Sequence, residues 1–224
     1  MNQPRVHPIE SESYRILHDR IDLSWLSPKV AAVTARAIHA SADLEYAQLM
    51  VLDDASVSAG IRAVLAGAPV ICDVQMVRAG ITAVPTTCLL DEATAGPNGI
   101  PTRSADAITR AAARWPDGAV FVIGCAPTAL FEVVRLVESG ALRPALVIGM
   151  PVGFVGAAEA KGELRRIASE RPHGRPVRAI SNRGEKGGSA VASAAFNAVV
   201  RLAHSVTGEK AGLGAESVSD PDRP

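Results

Sequence analysis

The sequence predicts an α/β protein, a three-layer α/β/α sandwich around a mostly parallel sheet. Three observations carry that expectation. From Tyr46 onward, short apolar runs rich in β-branched residues alternate with segments of helical length, the pattern of βαβ units. Hydrophobic residues make up 48% of the chain but aromatics only 4%. The core is therefore built from Ala, Val, Ile and Leu, which suits a buried parallel sheet under alanine-rich helices. Gly and Pro punctuation continues without a break in composition, so residues 1–204 are expected to form one domain.

The elements follow in order. Ser13–Arg20 has the composition of an early helix, and Ser27-Pro28 reads as an N-cap followed by proline at the first helical position. The alanine-rich run Lys29–His39 is the helix it opens. Strands are expected at 47–52, 68–74, 86–90, 119–124, 145–150 and 177–181, with helices near 56–66, 104–114, 127–139, 157–170 and 189–204. Right-handed crossovers would connect the strands. Segment 205–224 is polar and rich in Gly, Ser and Asp, and is expected to be disordered.

In such a sheet, ligands collect beyond the carboxyl ends of the strands. The segments CDVQM, GCAPTA, GMPVGFVG and SNRGEKGGS all fall there. Lys+Arg equals Asp+Glu at 23 each, so no global field recruits nucleic acid or an anionic membrane. An anionic ligand would be met by local cations. Cys72, Cys88 and Cys125 lie inside apolar runs without zinc-site spacing, and read as buried thiols in a reducing cytosol. No apolar signal core begins the chain and no apolar stretch is long enough for a bilayer. The expectation is a soluble, cytoplasmic protein.

The helix that begins in GCAPTALFEVV offers free N–H groups and a positive dipole end to an anion, unless it is an ordinary strand-to-helix connection. Glycines 149, 153 and 156 do not have G-x-G-x-x-G spacing, and Lys186 precedes Gly187-Gly188 rather than a hydroxyl residue. Neither loop supports nucleotide binding. His39 ends the alanine-rich helix with Arg36 three residues before it, so both project from one face. A cation beside an imidazole can orient an anion while the ring exchanges a proton near neutral pH; the plainer alternative is a histidine serving the helix dipole. His7, His18, His173 and His204 stand in polar contexts and read as surface residues.

Taken together, these segments resemble one family. PVICDVQMVRAGI, TRSA, GCAPTALFEVV, PALVIGMPVGFVGAAEAK and RGEKGGSAVASAAFNA occur in the same order as in precorrin-8X methylmutases, and the helix ending ARAIHA resembles that family's active-site helix. The resemblance spans roughly residues 9 to 203. It implies a flavodoxin-like fold and a homodimer with substrate near the subunit interface. It implies a [1,5]-sigmatropic shift of a methyl group from ring carbon 11 to ring carbon 12 of a tetrapyrrole, with no separate cofactor. The product is hydrogenobyrinate, or cobyrinate when the substrate contains cobalt.

On this resemblance His39 matches the catalytic histidine, and Ser13 and Arg36 match substrate-contacting positions. Motif and chemistry together add Arg103, Thr128, Lys186, Gly187 and Gly188 as a rim for the substrate carboxylates. Gln75, Cys125 and Glu185 depart from the family pattern, where Glu, Asn and a basic residue are common. The competing functions are a non-catalytic tetrapyrrole carrier and a flavin- or nucleotide-binding protein on the same architecture. Retention of His39 with Arg36 argues against the first, and the missing phosphate loop against the second.

Overall fold

Helix α1 (Pro8–Arg20) starts where the His7 ring accepts the Ile9 N–H, with proline in the first turn. It begins five residues before the expected Ser13. Helix α2 (Pro28–Ser41) is capped by the Ser27 hydroxyl as the sequence implies, and ends at Ala42 in a left-handed conformation. The computed structural model describes residues 7–213.

The expected strand at 47–52 is mostly helical. Asp43 accepts the Glu45 N–H and turns the chain into one helical turn, α3 (Tyr46–Leu49), leaving only Met50–Val51 as β1. After α4 (Asp54–Leu65) and β2 (Val70–Cys72), the CDVQM segment opens a short helix, α5 (Gln75–Gly80), where a loop was expected. The expected strand at 86–90 reduces to a single bridge, Ile71↔Thr87. Thr87 exchanges two backbone bonds with β2, then the chain turns away as Glu92 N–H bonds Leu89. The remaining elements are α6 (Arg103–Arg114), β3 (Val120–Ile123), α7 (Pro127–Glu138), β4 (Leu146–Gly149), α8 (Ala157–Glu170), β5 (Ala179–Asn182) and α9 (Ser189–Leu213). The last helix runs past residue 204, so the segment expected to be disordered begins as helix. Residues 214–224 lie outside the described residues.

The strand order is β1-β5-β4-β3-β2, with β5 to β2 parallel and β1 antiparallel to β5. Side chains alternate across it as strand geometry requires. Val120, Val122, Leu146 and Ile148 pack beneath α2, α4 and α9 with Val33, Ile61, Phe196 and Val199. Phe121, Ile123 and Val147 face α6, α7 and α8 with Ile108, Leu130 and Leu164. These two apolar layers make the three-layer sandwich, and they leave the carboxyl edge of the parallel strands to the connecting loops.

Candidate active site

Asp73 leaves the end of β2 and is fully buried. Its carboxylate accepts the N–H groups of Gly124 at 3.0 Å and of Cys125 and Ala126 at 2.9 Å each. Asp73 thus fills the anion seat formed by the loop that leads into α7, and the N–H groups it takes precede the helix's own first turn. Burial drives the Asp73 carboxyl upward from its usual range, against the pull of those amides. The Thr128 hydroxyl meets that of Thr102 at 2.7 Å, and Arg103 donates to the Leu90 carbonyl at 2.9 Å. Gln75 donates to Asp91 at 2.7 Å. Thr128, Arg103 and Gln75 are thus each tied to the segment that runs from Leu90 to Thr102. Cys125 is exposed and Cys88 half-buried; only Cys72 is the buried thiol expected of all three, and burial pushes it up to about 12.

The loop after β5 is shaped by backbone contact with the loop after β4. A Cβ on Gly187 would lie 2.3 Å from the Met150 carbonyl oxygen and 2.5 Å from that of Pro151, so only glycine fits. Gly188, at φ +126°, donates its N–H to Met150, so this amide is committed to the fold rather than offered to a ligand. The Lys186 ammonium pairs with Asp43 and, at 2.7 Å, with Glu45, tying the loop to the end of α2. The Lys186 carbonyl accepts from the fully buried Lys161 at 2.5 Å and from Asn182 at 2.6 Å. Burial pushes the Lys161 ammonium down to about 8.

His39 lies at the other end of that tie. Its Nδ1 meets the Ser13 hydroxyl at 2.9 Å, and the Tyr14 ring stacks on it with centroids 5.0 Å apart and planes 3° from parallel. Nε2 is left without a hydrogen-bond partner among the described residues. Arg36 donates to Glu10 at 2.6 Å and to the Tyr14 hydroxyl at 3.4 Å. Burial, then the charge of Arg36, lowers the His39 pKa below the ordinary 6.5, with Glu10 opposing. A cavity of about 340 Å³ opens beside this cluster between α1, α2 and α9, bordered by Tyr14, Arg36, Ala35, Ala198, Arg201 and Leu202.

The structure thus brings Ser13, Arg36 and His39 together, and Lys186, Gly187 and Gly188 into one loop linked to α2 through Asp43. Arg103 and Thr128 belong to a separate cluster at the starts of α6 and α7. Asp73, Lys161, Glu10, Tyr14 and Arg201 were missed as site residues. Three carried a signal. Ala157, Ala160, Lys161 and Leu164 share one helical face, which places Lys161 against the core, and Glu10 and Tyr14 are spaced for the same face of α1. Nothing local marks Arg201.

Fold and site define an α/β protein with a part-buried imidazole beside a guanidinium, and with no cluster of three or more His, Cys, Asp or Glu able to hold a metal among the described residues. No helix among them is long and apolar enough to cross a membrane. The family model described as "CbiC: Precorrin-8X methylmutase" matches residues 8–202. The cobalt-precorrin-8 methylmutase of Priestia megaterium is 36% identical, over 88% of each chain. The precorrin-8X methylmutase of a Sinorhizobium species is 38% identical, over 86% of this chain and 93% of its own. A crystal structure of precorrin-8X methyl mutase from Thermus thermophilus, 36% identical, superposes with a TM-score of 0.76 over 88% of this chain and 96% of that one. The chain belongs to the precorrin-8X methylmutase family.

Proposed function

We propose that the protein isomerises precorrin-8X, or its cobalt form, by moving one methyl group from ring carbon 11 to ring carbon 12. Family membership supports the reaction class, and the setting of His39 supports the chemistry. The shift is intramolecular: the bond from methyl to carbon 11 breaks as the bond to carbon 12 forms, so no nucleophile or carrier is required. A proton given to a ring nitrogen makes the conjugated system more electron-demanding and eases the migration. His39 is the donor through Nε2, because Ser13 holds Nδ1 and Tyr14 fixes the ring plane.

In this reading Arg36, Arg103 and Thr128 meet carboxylates of the macrocycle, while Gly187 and Gly188 shape the loop. Lys186 adds a cation already shared with Asp43 and Glu45. The working form is a cytoplasmic homodimer with no cofactor beyond the substrate and no nucleic-acid partner. Substrate with and without cobalt are both compatible with this site. Incubation with metal-free precorrin-8X, followed by visible spectroscopy of the ring, should yield hydrogenobyrinate without added metal, nucleotide or flavin. An unchanged spectrum with both forms of the substrate would favour a carrier instead, and activity lost to a chelator and restored by a metal ion would overturn the mechanism. Light scattering that gives a monomer at micromolar concentration would overturn the dimer.

A further inference from the structure

One ion cluster beside the cavity has a composition that the fold alone does not require. Glu10, in the first turn of α1, is shared by two guanidinium groups: Arg36 at 2.6 Å and Arg201 at 3.0 Å. The three residues come from α1, α2 and α9. Both arginines border the cavity between those helices, together with Tyr14, whose ring covers His39. Glu10 and Arg36 are mostly buried, each with about a fifth of the side chain exposed, at 21% and 22%, whereas Arg201 is 55% exposed. Two cations converging on one carboxylate, at the rim of an apolar slot and beside the proton donor, form a seat for a carboxylate.

We infer that Glu10 occupies a subsite for a substrate carboxylate, and that Arg201 is a second substrate-binding arginine which works with Arg36 once Glu10 is displaced. The inference rests on the reading that the substrate is a polycarboxylated tetrapyrrole. A cavity of about 340 Å³ is at the small end for a ligand pocket, so it takes one acid-bearing edge of the macrocycle rather than the whole ring. Exchange of one carboxylate for another keeps both guanidiniums paired, so the desolvation of Arg36 is not met a second time. The internal carboxylate therefore competes with the ligand, and its removal strengthens binding.

This competition separates the inference from a purely structural role. If Glu10 only fastened α1 to α2 and α9, Glu10→Gln and Arg201→Gln would weaken binding together. As a competitor, Glu10→Gln lowers KM for precorrin-8X about three- to tenfold, since a charge-assisted pair no longer has to be broken. Arg201→Gln raises KM about ten- to a hundredfold, the worth of one hydrogen bond to a charged group, and affects KM more than kcat. Arg201→Lys recovers part of the loss. The raised KM of Arg201→Gln also depends less steeply on salt than that of the wild type. Steady-state kinetics on the full chain, with circular dichroism melts as a folding control, tests this. A KM that rises in Glu10→Gln, or that stays at the wild-type value in Arg201→Gln, overturns the subsite while leaving the methylmutase reading intact. Failure of the wild-type protein to turn over either form of the substrate removes both.

Discussion

Two carboxylates sit in contrasting settings in this molecule. Asp73 lies fully buried under three backbone N–H groups just before α7, with no ion pair among the described residues. Glu10 lies part-exposed between two guanidiniums on the helices that flank His39. In the first setting every partner is fixed backbone, and nothing can exchange with the carboxylate without breaking the sandwich. In the second the partners are long side chains at the mouth of a cavity, and another anion can take the same place. Here the backbone amides hold a buried anion in place, whereas the side-chain cations sit where the carboxylate between them is part-exposed.

Substitutions can break this comparison or sharpen it. The largest expected effect is on chemistry: His39→Ala should lower turnover by a factor of about 10² to 10⁴, the usual loss on removing a general acid. Its thermal melt should fall only modestly, because alanine is well tolerated in a helix while the Ser13 bond and the Tyr14 stack are lost. Wild-type turnover in this variant would mean that another group donates the proton. Asp73→Ala should behave in the reverse way, destabilising the fold by about 3 kcal/mol or more, since three amides lose their acceptor. Urea unfolding measures this, and Asp73→Asn should lose less because one acceptor oxygen remains. An unaltered urea midpoint in Asp73→Ala would place the carboxylate outside the structural role given to it.

Arg36→Ala should raise KM about tenfold by removing a cation that meets carboxylates, seen in a substrate titration. Gly187→Ala should cost about 1–3 kcal/mol, because its Cβ has only backbone carbonyls to push against. The smallest effect concerns pH. In the free protein His39 titrates below 6.5, so kcat/KM should fall as pH rises through that lowered value, where the acid form is lost. Substrate carboxylates beside the ring favour the imidazolium, so the descending limb of kcat should lie at higher pH than that of kcat/KM. For stability the sign is reversed: the unfolded chain holds the His39 proton more readily, so this residue's contribution turns against the fold as pH drops below 6.5. Two kinetic limbs that coincide would remove the substrate's effect on the imidazole.

The sequence made the central parallel strands and their helices legible because 119–124 and 145–150 are continuous apolar runs bounded by turn residues. It misplaced 47–52 and 86–90 because apolar composition does not separate a strand from a buried helical turn or a single bridge. Helix α5 was hidden by its length of six residues, too short for a 3.6-residue period to show. Within the site, His39 and Arg36 could be paired from their helical spacing. Ser13 needed the family resemblance, and Arg201 needed the fold, since 191 residues separate it from Glu10. The Asp73 interaction was invisible for the same reason, as its partners lie 51 to 53 residues away. Local patterns record what a residue does within its own helix or strand, not what it meets across the sandwich.

The two-residue strand β1 has a consequence for how copies of the chain can associate. It runs antiparallel along β5 and covers that border with very little backbone of its own, while Thr87 bridges the opposite border at β2. Neither flank presents a long row of unpaired amides, so edge-to-edge growth into a ribbon of stacked molecules has no template. Helical surfaces and the loops at the carboxyl end are what the fold leaves open for self-association.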